Sequence, residues 1–338
     1  MSKTNVICLV PVRNEAWVMK DLIECARAWA DVIIIGDHNS SDASASIARE
    51  YDKVKVVPFR DQSLDRGIRR KGLIEEARKV PGRNLIFTLD ADEMISANWA
   101  HSPEWEFMLN APPGTSFHFD WVELLPGLRR AAVFGQMGAF VDDGSEYTNR
   151  GTEIHESRMP QPKGEVVQLK DIKLLHYIAI DPGRLFSKHR WYKCAEYLET
   201  GKRPWAMCVM YQDRKIKSYD APIIPVRDEW LMGYEWLDQY RPNGIQTERC
   251  YWHDEEVLNY FDKYGVRKFR KLNIWDVDWN QKARMLGRSG DYRDPRSGYE
   301  VRVHKFIEQY REELKLKRHL RFRLVGLFGR TVLRTVGW

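Results

Sequence analysis

The sequence predicts an α/β protein in which a parallel sheet, covered by helices on both faces, passes into a mixed sheet and then into a mainly helical extension. Three observations lead there. Short apolar runs alternate with stretches of helical spacing through the first third of the chain. Strand-like runs then follow one another with no helix between them. Beyond about residue 185 the pattern turns helical and rich in Trp and Tyr.

The elements follow in order. Val6–Val10 is an apolar run closed by Pro11, Val32–Ile35 one closed by Gly36, and Val54–Val57 one stopped by Pro58. Asn84–Leu89 is the fourth and ends at Asp90. Between them Glu15–Trp29, Asp42–Glu50 and Leu64–Val80 have the length and spacing of helices. Strands alternating with helices imply parallel pairing. Thr115–Val122, Ala132–Phe140 and Val166–Leu175 then read as strands of a mixed sheet, and Glu255–Tyr264 and Tyr299–Leu316 as later helices. The expected division is 1–185, 186–313 and a tail, 314–338.

Composition narrows the class. The chain has 338 residues, 43% apolar and 30% charged, as a folded globular protein does. The 13 Trp suit sugar and base surfaces, but cores use them more often. Five cysteines, Cys8, Cys25, Cys194, Cys208 and Cys250, show no C-x-x-C spacing. They read as free thiols, which suits a reducing, cytoplasmic setting. No signal peptide is expected, and no run approaches the roughly 20 apolar residues that span a bilayer. The net charge is +6, yet Leu314–Trp338 holds seven Lys or Arg and no Asp or Glu, so the remainder sums to 6 − 7 = −1. A nucleic-acid enzyme would carry its basicity around its site, so no nucleic-acid partner is expected.

In an open parallel sheet, ligands bind beyond the carboxyl ends of the strands. Arg13, Asn14 and Glu15 follow the first strand there, Asp37 the second, and Asp90 and Asp92 the fourth. If Leu89–Glu93 stays extended, the carboxylates of Asp90 and Asp92 face one way and can share a cation; a solvated Asp-rich turn is the alternative. A divalent ion such as Mg²⁺ or Mn²⁺ takes a few carboxylate oxygens and completes its shell with water and phosphate. Such an ion would neutralise a departing diphosphate. In Asp37-His38-Asn39-Ser40-Ser41-Asp42, Ser41 is placed to cap the next helix, with Asp42 near its positive end. Asp37 has no capping role and can accept from a base N–H or a ribose hydroxyl.

Taken together, residues 6–95 resemble the family 2 glycosyltransferases, which adopt the GT-A fold. Val12-Arg13-Asn14-Glu15 is similar to that family's opening motif. Asp37-His38-Asn39-Ser40-Ser41-Asp42 is similar to its Asp-rich turn, with Ser41 for Thr and Ala43 for a following Gly. Leu89-Asp90-Ala91-Asp92-Glu93 is similar to its D-x-D segment. The resemblance is patchy to about residue 180 and ends there. It implies a GT-A-type, Rossmann-like nucleotide-binding sheet with a mixed-sheet acceptor half. It also implies inverting transfer of a sugar from a nucleoside-diphosphate donor, a UDP-sugar favoured, to an acceptor hydroxyl. Asp37 would hold the nucleoside, with Arg13 and Glu15 near the base. Asp90 and Asp92 would serve donor and metal, Mn²⁺ or Mg²⁺. Arg70 would approach the donor, with Arg66, Arg69 and Lys71 as alternatives on the same basic helix, and a solvated face is the competing reading of that cluster.

Inversion in one displacement requires a carboxylate to take the acceptor's proton. Ile154-His155-Glu156 and Leu174-Leu175-His176-Tyr177 are similar to the family's late His-Glu and His-Tyr segments. That places Glu156 as general base, with Asp142 and Asp143 as competitors, and His176 as a third metal ligand, a pyrophosphate contact or a structural residue. The acceptor stays open among saccharide, lipid-linked saccharide and protein. In the tail, Arg323, Arg330 and Arg334 share one helical face and Leu320, Leu324, Leu327 and Phe328 another, as in a helix lying on an anionic membrane. The alternative is packing on the body. Two other functions compete. A haloacid-dehalogenase-type phosphatase also uses D-x-D, but on its first strand and with Thr or Val where Met94 stands. A non-catalytic nucleotide-sugar-binding protein would have little need of the full carboxylate set.

Overall fold

A computed structural model describes residues 3–59, 66–148, 158–161, 163–211, 221–240, 250–315 and 338. Along the chain come β1 (Thr4–Val12), α1 (Ala16–Ala26), β2 (Val32–Asp37), α2 (Ser44–Ala48), β3 (Val54–Pro58) and α3 (Arg66–Ala77). Next are β4 (Arg83–Thr88), β5 (Glu93–Ile95), α4 (Pro103–Asn110), β6 (Ser116–Leu124), β7 (Arg130–Val141) and β8 (Val166–His176). The remainder holds α5 (Pro182–Glu199), α6 (Pro204–Met210), β9 (Ile223–Pro225), α7 (Asp228–Leu231), α8 (Trp252–Tyr264), α9 (Trp279–Met285) and α10 (Gly298–Lys315).

One sheet runs β3-β2-β1-β4-β7-β6-β8-β5, with β9 beside β7. β1 pairs in parallel with β2 and β4, and β2 with β3. The sense reverses where β7 lies antiparallel to β4, and β6 joins β7 antiparallel and β8 parallel. This is the expected α/β architecture, a Rossmann-like parallel half continued by a mixed half. Alternating residues of β1 face opposite sides. Val6, Cys8 and Val10 meet Met19, Leu22 and Ile23 of α1, whereas Ile7 and Leu9 join Leu73, Ile74 and Ala77 of α3. Helices thus cover both faces.

Pro11 does not end β1, which runs on to Val12. Pairing with β4 stops at Leu9–Thr88, while Pro11 still lies opposite Gly36 of β2. With the neighbour on one side finished, the missing N–H of Pro11 leaves no ladder bond unmade on that side. Gly36 makes room for its neighbours, since a Cβ there would lie 2.8 Å from the Phe59 ring and 3.0 Å from a Leu73 methyl and would push both side chains aside. α3 can therefore lie close to β2 just where Asp37 begins the next loop.

The chain forms two compact units, Met1–Asp181 with Ala221–Gly244, and Pro182–Asp220 with Ile245–Trp338. No change in composition marks the return at 221. It is secured by β9 pairing with β7, by buried Trp230, and by the Tyr234 hydroxyl, which donates to the Ile95 carbonyl at 2.9 Å.

The second unit is helical, with α5 packed on α8. At its centre Asp254 accepts from Ser187 at 2.8 Å and Lys282 at 2.9 Å, and Arg190 bridges it to Asp276. Trp191, Trp275 and Trp279 are buried around this network, so these aromatic residues build core. Burial pushes the Cys25 thiol of the first unit up to about 12 and the Cys208 thiol of the second to about 11, as for inert interior thiols. Among the described residues no helix is long and apolar enough to cross a membrane. The amphipathic stretch assigned to the tail falls on 316–337, outside the described residues. Trp338 itself is buried in the helical unit with Cys208, Val303 and Ile307.

His304 of α10 is 8% exposed and packs edge-on to Trp338, its Nε2 3.0 Å from the Lys271 carbonyl oxygen. Burial, reinforced by Arg296, lowers its pKa from 6.5 to about 4. A depressed pKa means that the folded state resists a proton that the unfolded chain accepts. The contribution of His304 to stability is therefore complete above pH 6.5 and is lost as pH falls towards 4, by about 3 kcal/mol. Denaturant titrations of wild type and His304→Gln should converge across that window. Parallel curves would place the acid sensitivity elsewhere.

Candidate active site

The loops after β1 and β2 are laced together at the carboxyl edge of the sheet. Asn14 adopts φ 56°, a left-handed conformation that Asn tolerates better than most residues. Its Oδ1 accepts from the backbone N–H of Ser41 at 2.7 Å and of Asp42 at 3.3 Å. In return the Asn14 N–H donates to the Ser40 hydroxyl at 3.0 Å, and the Glu15 N–H to that of Ser44 at 2.8 Å. Asp42 accepts from Ala16 N–H at 3.0 Å, so it serves the first turn of α1 from the neighbouring loop. Ser41, expected to cap α2, makes no such bond, because its hydroxyl turns to Asn14. Asp37 stands at the end of β2 and accepts the Ser40 N–H at 3.2 Å. Arg13 lies at the head of the first loop, and Glu15 accepts from the Trp17 indole at 2.6 Å.

The loop after β4 departs from the extended geometry expected of it. Residues 90–93 form a turn, with Glu93 N–H donating to the Asp90 carbonyl at 3.1 Å and Asp90 N–H to Glu93 Oε2 at 2.9 Å. A turn sends the two Asp side chains to different partners. Asp90 Oδ1 accepts from Arg70 Nη2 at 3.1 Å, and Oδ2 from Arg158 Nη2 at 2.7 Å. Both arginine side chains are only 9% exposed. Arg158 also donates to Glu93, a fully buried carboxylate that accepts from the Trp121 indole at 2.8 Å as well. Burial alone would lower the Arg158 pKa, but Asp90 and Glu93 more than offset it and raise it. Among the described side chains of the basic residues considered on α3, Arg70 is thus seen on Asp90. Arg69 approaches His38 Nδ1 at 2.6 Å, Lys71 makes an exposed 3.9 Å pair with Glu146, and the Arg66 side chain is outside the described set.

Asp92, 3% exposed, faces His176. Pairing of β5 with β8 sets Glu93 opposite His176, and pairing of β6 with β8 sets Glu123 opposite the same residue. The imidazole therefore lies between two carboxylates, Nε2 3.6 Å from Asp92 and Nδ1 3.6 Å from Glu123, and stacks on Trp121 at 4.5 Å. Burial disfavours its charge, but Asp92 and Glu123 prevail and raise its pKa to about 9. The Tyr177 hydroxyl completes the floor by donating to the Ala91 carbonyl at 2.8 Å.

Carboxylate and imidazole groups are the right chemical types for Mn²⁺ or Mg²⁺. As arranged, however, Asp90, Asp92 and His176 do not fit such an ion. Both Asp90 oxygens are given to guanidinium groups, Asp92 to an imidazolium, and no group of three potential ligands gathers among the described residues. Glu156 lies outside the described residues. Its competitors have other duties. Asp142 is gripped by Arg78 at 2.8–3.2 Å, and hydrogen bonds from Ser145 hold the exposed Asp143 below the usual carboxylate range. Sequence reasoning missed Arg158, Glu123 and the partnering role of Glu93. Only Glu93 had a local signal, its place beside the D-x-D carboxylates.

The fold and this edge together give an α/β protein whose parallel half ends in an acidic loop held by two arginine side chains of low exposure. No known family profile matches the sequence, and no curated relative matches it. Several solved structures are similar in part. Glucosyl-3-phosphoglycerate synthase from Mycobacterium tuberculosis, in complex with Mn²⁺, UDP and glucosyl-3-phosphoglycerate, is 14% identical with a TM-score of 0.27. The match covers 36% of this chain and 44% of that one. 4-Diphosphocytidyl-2C-methyl-D-erythritol synthase is 16% identical over 41% of this chain and 74% of its own, with a TM-score of 0.28. Mannose-1-phosphate geranyltransferase from Thermus thermophilus is 13% identical over 42% of this chain and 51% of its own, with a TM-score of 0.26. The chain thus spans less than half the length of the mycobacterial synthase, and none of the three is alike enough to lend it a substrate.

Proposed function

We propose that this protein is an inverting glycosyltransferase that moves a sugar from a nucleoside-diphosphate donor to an acceptor hydroxyl. The observation that carries the proposal is the convergence, at the carboxyl edge of β1, β2 and β4, of Asp37 and of Asp90 with its two buried arginines. A nucleotide needs an acceptor for its base or ribose and positive charge for its phosphates, and this edge supplies both. In the reaction the acceptor oxygen bonds to the anomeric carbon as the bond from that carbon to the diphosphate oxygen breaks. The electron pair leaves with the diphosphate, and Glu156 takes the acceptor's proton. The phosphatase alternative requires an Asp oxygen free to attack phosphorus, whereas Asp90 sits after the fourth strand with both oxygens bound to guanidinium groups.

Thermal unfolding with UDP, GDP, CDP and ADP, each beside its nucleoside, tests the donor class. One diphosphate should raise the transition well above the shift given by its nucleoside. At a concentration of about 100 Kd the stabilisation is about 2.7 kcal/mol. No shift with any diphosphate, together with turnover of a simple phosphate ester, would falsify the transferase assignment.

A further inference from the structure

We propose that Arg158 and Arg70, clamped by Asp90, form the cationic seat of the donor diphosphate and receive its departing charge without a divalent ion. The proposal rests on the nucleoside-diphosphate donor proposed above. Asp90 carries one guanidinium on each oxygen, so its charge is already balanced by two cations that would repel a divalent ion approaching the remaining lone pairs. Arg158 is held a second time by Glu93, itself fixed by Trp121 and the Asp90 N–H. Two carboxylates thus hold the Arg158 guanidinium.

A guanidinium carries five N–H donors in a planar fork. Among the described residues Arg158 spends its bonds on Asp90 and Glu93 alone, from Nη2 and Nη1. The rest of its fork remains available to phosphate oxygens. The carboxylates fix the orientation of the fork, and guanidinium matches phosphate bidentately where ammonium cannot. As the anomeric carbon–oxygen bond breaks, the electron pair settles on the diphosphate. N–H donors already in place stabilise that charge without rearranging.

Titration calorimetry with UDP, GDP, CDP and ADP tests this, with each nucleoside as control, in excess EDTA and again in Mn²⁺. Wild type should bind its preferred diphosphate with a Kd that agrees within about threefold in the two conditions. Arg158→Ala should weaken that diphosphate by about 100-fold and leave the nucleoside unaffected. Arg158→Lys, which keeps a charge beside Asp90 and Glu93, should retain the fold if the alanine variant does not, and should lose about tenfold. Tenfold or greater loss in EDTA with recovery in Mn²⁺ would overturn the proposal and leave the donor class standing. So would an unchanged diphosphate affinity in both variants. If no diphosphate binds wild type in either condition, the donor class itself falls, and this proposal with it.

Discussion

Replacing Asp90 with Asn is expected to slow donor turnover by about 100-fold or more, equivalent to roughly 2.7 kcal/mol of barrier, while the protein stays folded. The substitution keeps size and removes charge. A carboxylate offers acceptor oxygens to both Arg70 and Arg158, whereas a carboxamide offers one oxygen and turns an NH₂ donor towards the other guanidinium. One arginine then loses its clamp. Glu93 still holds Arg158, which is why the fold should survive. Release of nucleoside diphosphate from the preferred donor, measured beside the unfolding midpoint, checks this. Near-normal turnover in a folded Asp90→Asn protein would remove Asp90 from the site.

The second large effect is expected at Glu156. Glu156→Gln should reduce turnover by about 10²–10⁴-fold, the range for loss of a general base, with diphosphate affinity nearly unchanged. The base acts on the acceptor's proton, so binding and chemistry should separate. A variant that turns over normally would return the role to another carboxylate. Asp142 and Asp143 would be poor substitutes, the first neutralised by Arg78 and the second held below the ordinary range. A variant that loses diphosphate affinity as well would place Glu156 on the donor side.

Much of the sheet was legible because strand and helix periods are local. The four apolar runs of the first third became β1 to β4 within a few residues, and the three later runs became β6 to β8. The three-residue β5 was missed, since Glu93–Ile95 has no run of its own and exists through pairing with β8. The loop motifs were found, and one role within them was misassigned. Asp42 meets the Ser44 N–H at the head of α2 as expected and that of Ala16 in α1 as well, whereas Ser41 turns to Asn14. Asp90 and Asp92 face one ion only in an extended segment, and here a turn separates them.

Which residues reach the carboxyl edge is written in the chain's local pattern. A strand's ending and the polar residues just after it occupy a few adjacent positions, and parallel pairing brings such endings together. Which charge meets which was settled only in three dimensions. Arg70 and Arg158 lie 20 and 68 positions from Asp90, and His176 reaches Asp92 and Glu123 through the pairing of three strands. Ion pairs depend on a few ångströms of separation in space, and no periodicity along the chain encodes that distance.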